Sequence, residues 1–290
     1  MKKINLTKKQ LHQLKRLKFN DDIMPMESIL YIFNKNELIK LYIDYTFGDI
    51  DSLEERKIRI NNLIEFVNNE NIPELLVPKK LVKIDKQFAG LLLPKINGQN
   101  ASVYLKSSII PLNIKIQILK QIGTILEKIK NTNPNYNAAF ADVHDDNFMV
   151  SGLDIKNIDK SSVYTTAIDI DGMKLLDFDG NSNSYFYNNN NLKSLDKYET
   201  NPFGMILPST NTDIFCFIMM ILELISGDKE ICFKSINEFK KYLDYLDKLG
   251  FNTKLLESFA SIYKNDTPNI TPLPYLDTIS FLPEKTLKKL

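Results

Sequence analysis

Cysteine, tryptophan and net charge are all scarce in this 290-residue sequence, which has two Cys, no Trp and a formal charge of +1. Cys216 and Cys232 have no metal-site spacing and stand in or near apolar helical sequence, so neither a zinc site nor a disulfide framework is expected. Free cysteines are typical of a reducing compartment, which predicts a cytoplasmic protein. The near-zero charge gives no global electrostatic reason to expect binding to nucleic acid.

Long hydrophobic runs are also missing. The most apolar stretch is "IFCFIMMILELI" at 214–225, which is too short to cross a bilayer and contains Glu223. The basic start "MKKINLTKKQ" is not followed by an apolar segment, so it does not have the form of a secretory signal. No membrane span is therefore predicted. A helix that is apolar all round is buried all round, and we predict that 213–226 is the central helix of a large helical lobe.

Hydrophobic periodicity predicts an α+β fold in two domains, an N-terminal lobe over 1–96 and a C-terminal helical lobe over 97–290. The N-terminal lobe is predicted to be a small antiparallel sheet with an inserted helix. Its elements are a basic helix over 7–18, strands over 28–33 and 37–45, a helix over 52–69 and two strands over 81–96 that turn at Asp85 and Lys86. The basic outer face of the first helix fits either packing within its own domain or contact with an acidic partner.

The C-terminal lobe is predicted from longer segments with helical hydrophobic periodicity. Its elements are a helix over 109–131 with Pro111 near its start, a strand over 163–171, the buried helix over 213–226, amphipathic helix over 234–264 and an extended tail from 266. An Asn-rich segment at 188–191 is predicted to be a surface loop.

The stretch "FADVHDDNFMV" at 140–150 places three acids, a His and an Asn in six positions between apolar flanks. Like charges repel, and acids beside a core cost desolvation unless something compensates. A divalent cation would compensate the charge, and so would solvent if the segment is a plain loop.

Three more polar residues stand in apolar surroundings. Lys40 lies inside the strand "LIKLYI", Asp169 follows the strand "VYTTAI", and Asp213 begins the apolar helix. Taken singly, a snorkelling Lys, a turn Asp and a capping Asp explain them without a function.

Taken in order, these segments resemble the protein-kinase-like superfamily over about residues 28–230. "ELIKLYI" resembles the strand with the phosphate-binding Lys, "LLLPKINGQ" the segment that leads from one lobe to the other, and "DVHDDN" the catalytic loop. "AIDIDG" resembles the metal-binding turn, and "NTDIFCFIMMILELISG" the central buried helix. The resemblance implies a two-lobed fold and a phosphotransferase that uses ATP and Mg²⁺.

The resemblance also implies residue roles. Lys40 would bind the α- and β-phosphates, Asn147 and Asp169 would ligate Mg²⁺, and Asp142 would orient the attacking hydroxyl or accept its proton. In the segment between the lobes, the Pro94 carbonyl and the Ile96 N–H would pair with adenine, and Leu93 would line the back of that pocket. Glu55 would be the helical partner of Lys40, with Glu54 as the alternative. The Asp213 carboxylate would accept backbone N–H bonds from the loop that contains Asp142.

The sequence departs from the family at several positions. Residues 19–33 contain no Gly where a phosphate-covering loop is expected, and Phe140 stands where protein kinases usually have His. His144 stands where they usually have Lys, and Asp-x-His is similar to the aminoglycoside and choline kinase branch. Asp171, Asp177 and Asp179 are rivals of Asp169 for the metal.

The leading hypothesis is a protein Ser/Thr kinase whose partners are ATP and a hydroxyl-bearing protein substrate. The alternatives are a small-molecule kinase and a pseudokinase that acts as a nucleotide-binding scaffold. The sequence does not specify an oligomeric state.

Overall fold

The computed structural model describes residues 2–17, 27–132, 138–154, 156–157, 162–175, 208–227, 231, 233, 236–251, 253, 256 and 273–279. Contacts divide the chain into two units, Met1–Asn97 and Gly98–Leu290. Helices and strands occur in both units, so the predicted α+β class is confirmed. No helix in the described ranges combines the length and the hydropathy that a membrane crossing requires.

The first unit is built on a six-stranded sheet. Its strands are β1 Lys3–Leu6, β2 Lys15–Arg16, β3 Ser28–Asn34, β4 Glu37–Tyr42, β5 Lys80–Ile84 and β6 Gln87–Pro94, and its helices are α1 Lys8–Gln13, α2 Ile43–Phe47 and α3 Ile50–Glu70. The strand order is β1-β5-β6-β4-β3-β2. The prediction of an all-antiparallel sheet was wrong, because β1 pairs with β5 in parallel while the other neighbours are antiparallel.

The N-terminal segment is where the fold departs most from the prediction of one helix over 7–18. Residues Lys3–Leu6 alternate between exposed and half-buried, which is the period of a strand, and Ile4 and Leu6 face the core. Thr7 and Gln10 form a reciprocal capping box that starts α1. The helix ends at Gln13 because Leu14 turns to extended backbone and the chain returns to the sheet as β2.

The hairpin between β5 and β6 was predicted with the correct turn. Asp85 and Lys86 have φ values of 47° and 75°. Two consecutive residues with positive φ define the two-residue turn whose twist matches that of paired strands. This hairpin sets the position of β6, which lies between β5 and β4.

Both faces of the sheet are covered by helices. Leu11 of α1 packs into an apolar cluster with Ile39, Leu41, Val82, Ile84, Ala89 and Leu92. On the opposite face, α3 contributes Leu53 and Ile60 to a cluster that includes Tyr42 and Leu91. Alternation along β4 and β6 therefore sends successive side chains into two separate cores.

Strand β4 is shorter than predicted and α3 is longer. The strand ends at Tyr42, and Ile43 begins α2, where a strand over 37–45 was expected. Asp49 caps α3, its carboxylate accepting from the Ser52 N–H at 3.1 Å. Asn71 ends the helix with φ of 51°, in the left-handed region.

Gly90 allows β6 to approach β4 closely. A Cβ at this position would lie 2.0 Å from the backbone oxygen of Lys40. We expect Gly90→Ala to lower the free energy of unfolding by about 2 kcal/mol or more, because backbone atoms would have to shift. Gly172→Ala is the matched control, since a Cβ there meets nothing within 4 Å. Equal denaturation midpoints for the two variants would contradict this prediction.

The second unit combines a three-stranded antiparallel sheet with helices. The strands are β7 Gly98–Asn100, β8 Phe148–Ser151 and β9 Tyr164–Ala167, in the order β7-β8-β9. The helices are α4 Ala101–Leu105, α5 Leu112–Lys130, α6 Thr210–Ser226, α7 Ile236–Lys248 and α8 Leu273–Ile279. Every residue of α6 from Thr212 to Leu222 is buried, which confirms the prediction of a helix buried on all sides.

Several helices and strands in this unit begin or end at residues that differ from the predicted ones. Pro111 is the N-cap of α5, so the helix starts at Leu112 and not at 109. The strand predicted to reach 171 ends at Ala167. Helix α7 ends at Lys248, before Gly250 with φ of 93°, so the predicted helix over 234–264 is interrupted there. Most of residues 252–264 lie outside the described residues. The prediction of an extended tail from 266 was wrong at Leu273–Ile279, which form α8. The Asn-rich segment and the rest of the tail lie outside the described residues.

Candidate functional site

The buried helix α6 anchors the loop that leads into Asp142. Asp213, in the first turn of that helix, accepts backbone N–H bonds from Phe140 at 2.6 Å and Ala141 at 2.9 Å. These two bonds confirm the expectation stated for Asp213. Ala141 has φ of 73°, an uncommon conformation for a residue with a Cβ. The carboxylate therefore holds a strained backbone immediately before Asp142.

Asp213 itself is almost inaccessible, with 3% of its surface exposed. Burial raises the pKa of Asp213 to about 7, although the N–H bonds from Ala141 and Phe140 act in the opposite direction. Its carboxyl group is thus a structural anchor that has no access to solvent.

Asp142 presents an exposed carboxylate that two neighbours hold in position. The Asn147 Nδ2 donates to the Asp142 carboxylate Oδ2 at 2.8 Å and to its backbone oxygen at 2.9 Å. The His144 Nε2 lies 3.4 Å from the same Oδ2, and 61% of the Asp142 side chain remains accessible. Because Asn147 donates its amide nitrogen to Asp142, its amide oxygen remains as a possible hydrogen-bond acceptor or metal ligand.

The Asp142–His144 pair shifts the titration of both groups. Burial alone would lower the pKa of His144, but the Asp142 carboxylate raises it overall, with help from Asp146 and Asp145. Burial would raise the pKa of Asp142, and the contacts to His144 and Asn147 lower it overall. The Asp146 N–H donates to His144 Nδ1 at 3.3 Å, which holds the neutral ring with its proton on Nε2. Asp142 is therefore ionised at neutral pH.

We expect the His144 pKa to lie above its usual 6.5 and to fall toward that value in Asp142→Asn. A group with a raised folded-state pKa stabilises the fold at pH values below its unfolded pKa, and this stabilisation is lost as pH rises through the folded pKa. The measurement is an NMR titration of the two His side chains, in which His12 serves as the internal control. A His144 titration that Asp142→Asn leaves unchanged would contradict the pairing.

The other two acids of the loop are compensated by protein side chains. Asp145 pairs with the Lys106 Nζ at 2.8 Å. Asp146 accepts from the Ser102 hydroxyl, and also from the Asn100 Nδ2 at 3.4 Å. His144, Asp145 and Asp146 bring ligand atoms within 4.8 Å of one another. The Lys106 ammonium offsets the charge of Asp145, while Asp146 has only neutral donors among these partners. The sequence analysis did not identify these partners.

The register of β8 and β9 places Asp169 near Asn147. Phe148 pairs with Ala167, and the Ile168 N–H donates to the Asn147 backbone oxygen at 2.8 Å. Asp169 comes next, exposed and in the left-handed region with φ of 58°, and it begins a single 3-10 turn over Ile170–Gly172. Its rival Asp171 lies within this turn, while Asp177 and Asp179 lie outside the described residues.

In the first unit, Lys40 is buried in the middle of the sheet, with 5% of its surface exposed. It pairs with Leu30 on one side and Leu91 on the other. Its ammonium group lies 5.7 Å from the centre of the Tyr42 ring. A Lys buried this deeply is neither a snorkelling edge residue nor a surface charge.

The helix α3 presents an Arg, and not an acid, on its buried side. Arg56 is 8% exposed, lies over the Tyr42 ring at 4.9 Å and pairs with Asp44 at 2.5 Å. Glu55 is exposed, and Glu54 pairs with Lys57 one turn along the helix surface. The signal for Arg56 was its spacing, because Leu53, Arg56, Ile60 and Leu63 fall on one helical stripe.

The predicted adenine-contacting residues lie at the end of β6. Leu93 pairs with Leu38 and Pro94 pairs with Glu37, and both are half-buried. Ile96 follows the strand and is also half-buried. The Lys95 N–H is used by the Asn36 backbone oxygen at 2.8 Å, so the chain is still tied to the sheet at this point.

No protein-family model matches the chain, and no relative is found among curated proteins.

Proposed function

We propose that the chain is an ATP- and Mg²⁺-dependent phosphotransferase of the two-lobed protein-kinase type, which transfers the γ-phosphate to a hydroxyl of a protein substrate. The observation that carries the proposal is the support around Asp142. An exposed carboxylate is oriented by Asn147 and stands on a loop that Asp213 holds in a strained conformation. Strain held by a dedicated buried group is typical of functional sites.

Asp142 acts by orienting the attacking hydroxyl. An efficient general base has a pKa near the working pH, whereas the contacts of Asp142 lower its pKa. A carboxylate of this kind is a poor proton acceptor and a good hydrogen-bond acceptor. Phosphoryl transfer needs mainly positioning and charge stabilisation, so an orienting role is sufficient.

The oxygens of Asn147 and Asp169 suit Mg²⁺, which prefers hard oxygen ligands. Asn147 keeps its amide oxygen available by donating its nitrogen to Asp142, and Asp169 follows the residue bonded to the Asn147 backbone. When bound, the ion neutralises charge on the phosphates. Within the first unit, we assign Lys40 to the α- and β-phosphates, and Leu93, Pro94 and Ile96 at the end of β6 to the adenine.

Two alternatives share this site. A small-molecule kinase is favoured by the Asp142–His144 pair, because an Asp-x-His loop is similar to the aminoglycoside and choline kinase branch. A pseudokinase, a scaffold that binds nucleotide without turnover, is favoured by the absence of Gly from residues 19–33. Transfer of labelled phosphate to generic protein substrates, to an aminoglycoside or to neither separates the three.

We expect ATP with Mg²⁺ to raise the melting temperature, and Asp169→Asn to remove most of this shift. A ligand at one hundred times its dissociation constant stabilises by about 2.7 kcal/mol, which is measurable by thermal unfolding. Asp154→Asn is the matched control, since Asp154 bonds within its own surface turn to Asn157. A full shift in Asp169→Asn would assign the metal to another acid. Absence of any shift with the parent protein would overturn nucleotide binding altogether.

A further inference from the structure

The first unit contains a segment with charges of one sign that the proposed phosphotransfer does not use. Residues 2–17 contain six Lys and Arg, one His and no Asp or Glu, and the first acids of the chain are Asp21 and Asp22. All seven basic side chains are exposed. We call this surface the N-terminal basic band, and its members are Lys2, Lys3, Lys8, Lys9, His12, Lys15 and Arg16.

The sheet topology gives the band its length. Strands β1 and β2 are the two outermost strands of the six, and α1 connects them. Leu11 and Leu14 hold α1 against residues of the central strands β4, β5 and β6. Adjacent strands are about 4.8 Å apart, so five spacings carry the band about 24 Å from one edge of the sheet to the other.

The band is also set apart by charge. It holds six of the 37 Lys and Arg, so the rest of the chain has 31 of these against 36 Asp and Glu, a formal charge of −5. A near-neutral protein thus concentrates its positive charge on one segment. Such a surface attracts anionic partners over about one Debye length, near 8 Å at physiological salt.

Protection of the sheet edges explains only part of the band. Lysines on outer strands discourage edge-to-edge pairing, and Lys3, Lys15 and Arg16 fit that role. Lys8, Lys9 and His12 do not, because they lie on α1, over the middle of the sheet. Edge protection therefore does not account for the positive charge on the outer side of α1, although polar residues are normal on such a face.

We propose that the N-terminal basic band binds an extended acidic segment of a partner protein. An extended chain of about seven residues spans 24 Å, and carboxylates along it would meet successive basic side chains. Lysine provides point charges that suit this pairing, and the band has five Lys to one Arg. The inference does not depend on phosphotransfer.

Other anionic partners fit the band less well. Residues 2–17 contain no aromatic side chain on which the bases of a single strand could stack. A long duplex would meet repulsion from the −5 remainder of the chain, whereas a short segment would not. The apolar residues Ile4, Leu6, Leu11 and Leu14 pack into the core, so none is available to insert into a membrane.

The test measures binding of a fluorescent peptide of about seven glutamates to the full chain by anisotropy, with its glutamine analogue and a short DNA duplex as further probes. The test variant is Lys8→Gln, Lys9→Gln, Lys15→Gln. The control variant is Lys240→Gln, Lys241→Gln, Lys248→Gln, which removes the same number of exposed lysines from α7. Thermal unfolding checks that all three proteins fold equally.

We expect the glutamate peptide to bind the parent and the control equally and to bind the test variant at least tenfold more weakly, with affinity that falls as salt rises. The glutamine peptide should not bind. Equal glutamate binding by both variants, or equal binding of the two peptides, would overturn the proposal. Tighter binding of the duplex than of the glutamate peptide would overturn it in favour of nucleic acid.

Discussion

Asp142→Asn is expected to lower the rate of phosphate transfer by about 10²-fold or more while ATP affinity stays within a few fold. The variant keeps an oxygen that can accept from Asn147, so the loop geometry is preserved and only the charge is lost. A group that acts on the attacking hydroxyl contributes in the transition state more than in nucleotide binding. Paired measurements of nucleotide affinity and transfer rate test this directly.

The matched control for this prediction lies four residues further along the same loop. Asp146→Asn makes the same chemical change, but Asp146 bonds to Ser102 and Asn100. Its transfer rate should stay within a few fold of the parent. If both variants lose activity equally, general disruption of the loop explains the result. If the parent binds nucleotide and transfers phosphate to no acceptor, the enzyme proposal fails and the scaffold alternative stands.

Lys40→Ala should behave differently from Asp142→Asn, since a phosphate-binding cation affects both nucleotide binding and rate. Because Lys40 is buried, its loss also removes packing against Tyr42. Thermal unfolding without nucleotide therefore has to accompany the binding measurement.

Asp213→Ala is expected to lower the free energy of unfolding by about 2 to 5 kcal/mol, because the N–H groups of Phe140 and Ala141 lose their acceptor in a buried site. Asp213→Asn should cost less, since one oxygen remains to accept. Urea denaturation gives both values. A stability close to that of the parent for Asp213→Ala would contradict the anchoring role.

The pH dependence of the same two proteins provides a second test. Burial raises the folded-state pKa of Asp213 to about 7, above its unfolded value, so ionisation disfavours the fold. The stabilisation from the neutral carboxyl is present below about pH 4 and is lost as pH rises through 7. Asp213→Asn, which cannot ionise, should lack this part of the decline between acidic and neutral pH.

Local signals in the sequence were sufficient for much of the fold. Three local signals each predicted the correct element. They are the turn at Asp85 and Lys86, the apolar run of α6 and the helical hydrophobic periodicity of α5. Periodicity and turn chemistry act over a few residues, so the sequence shows them directly. The strand Lys3–Leu6 was missed, because its partner Leu81–Ile84 is remote in sequence and four residues of alternation are a weak signal. The early end of α1 depends on the pairing of β2 with β3, which no local pattern shows.

In the candidate site, too, some residues could be recognised from the sequence and others could not. Its chemistry-bearing residues stand out by composition, as Asp142, Asn147 and Asp213 did. Their partners do not, because Lys106 for Asp145 and Ser102 for Asp146 come from another element. Of the acids that first suggested a metal, Asp145 has a cationic partner and Asp146 a neutral donor. Arg56 was overlooked because Glu was sought on α3, although its position on the apolar stripe marked it as buried.

The parallel pairing of β1 with β5 has a consequence for the time course of folding during synthesis. Lys3 is translated 78 residues before Leu81, the residue with which it pairs. At about 5 to 20 residues per second, the N-terminal strand waits about 4 to 16 s before its partner is synthesised. For that interval Leu11 and Leu14 lack the part of their core that β5 and β6 supply, and of its other buried residues only Ile39 and Leu41 of β4 are available to them. The first strand of this chain is therefore among the last to enter its sheet.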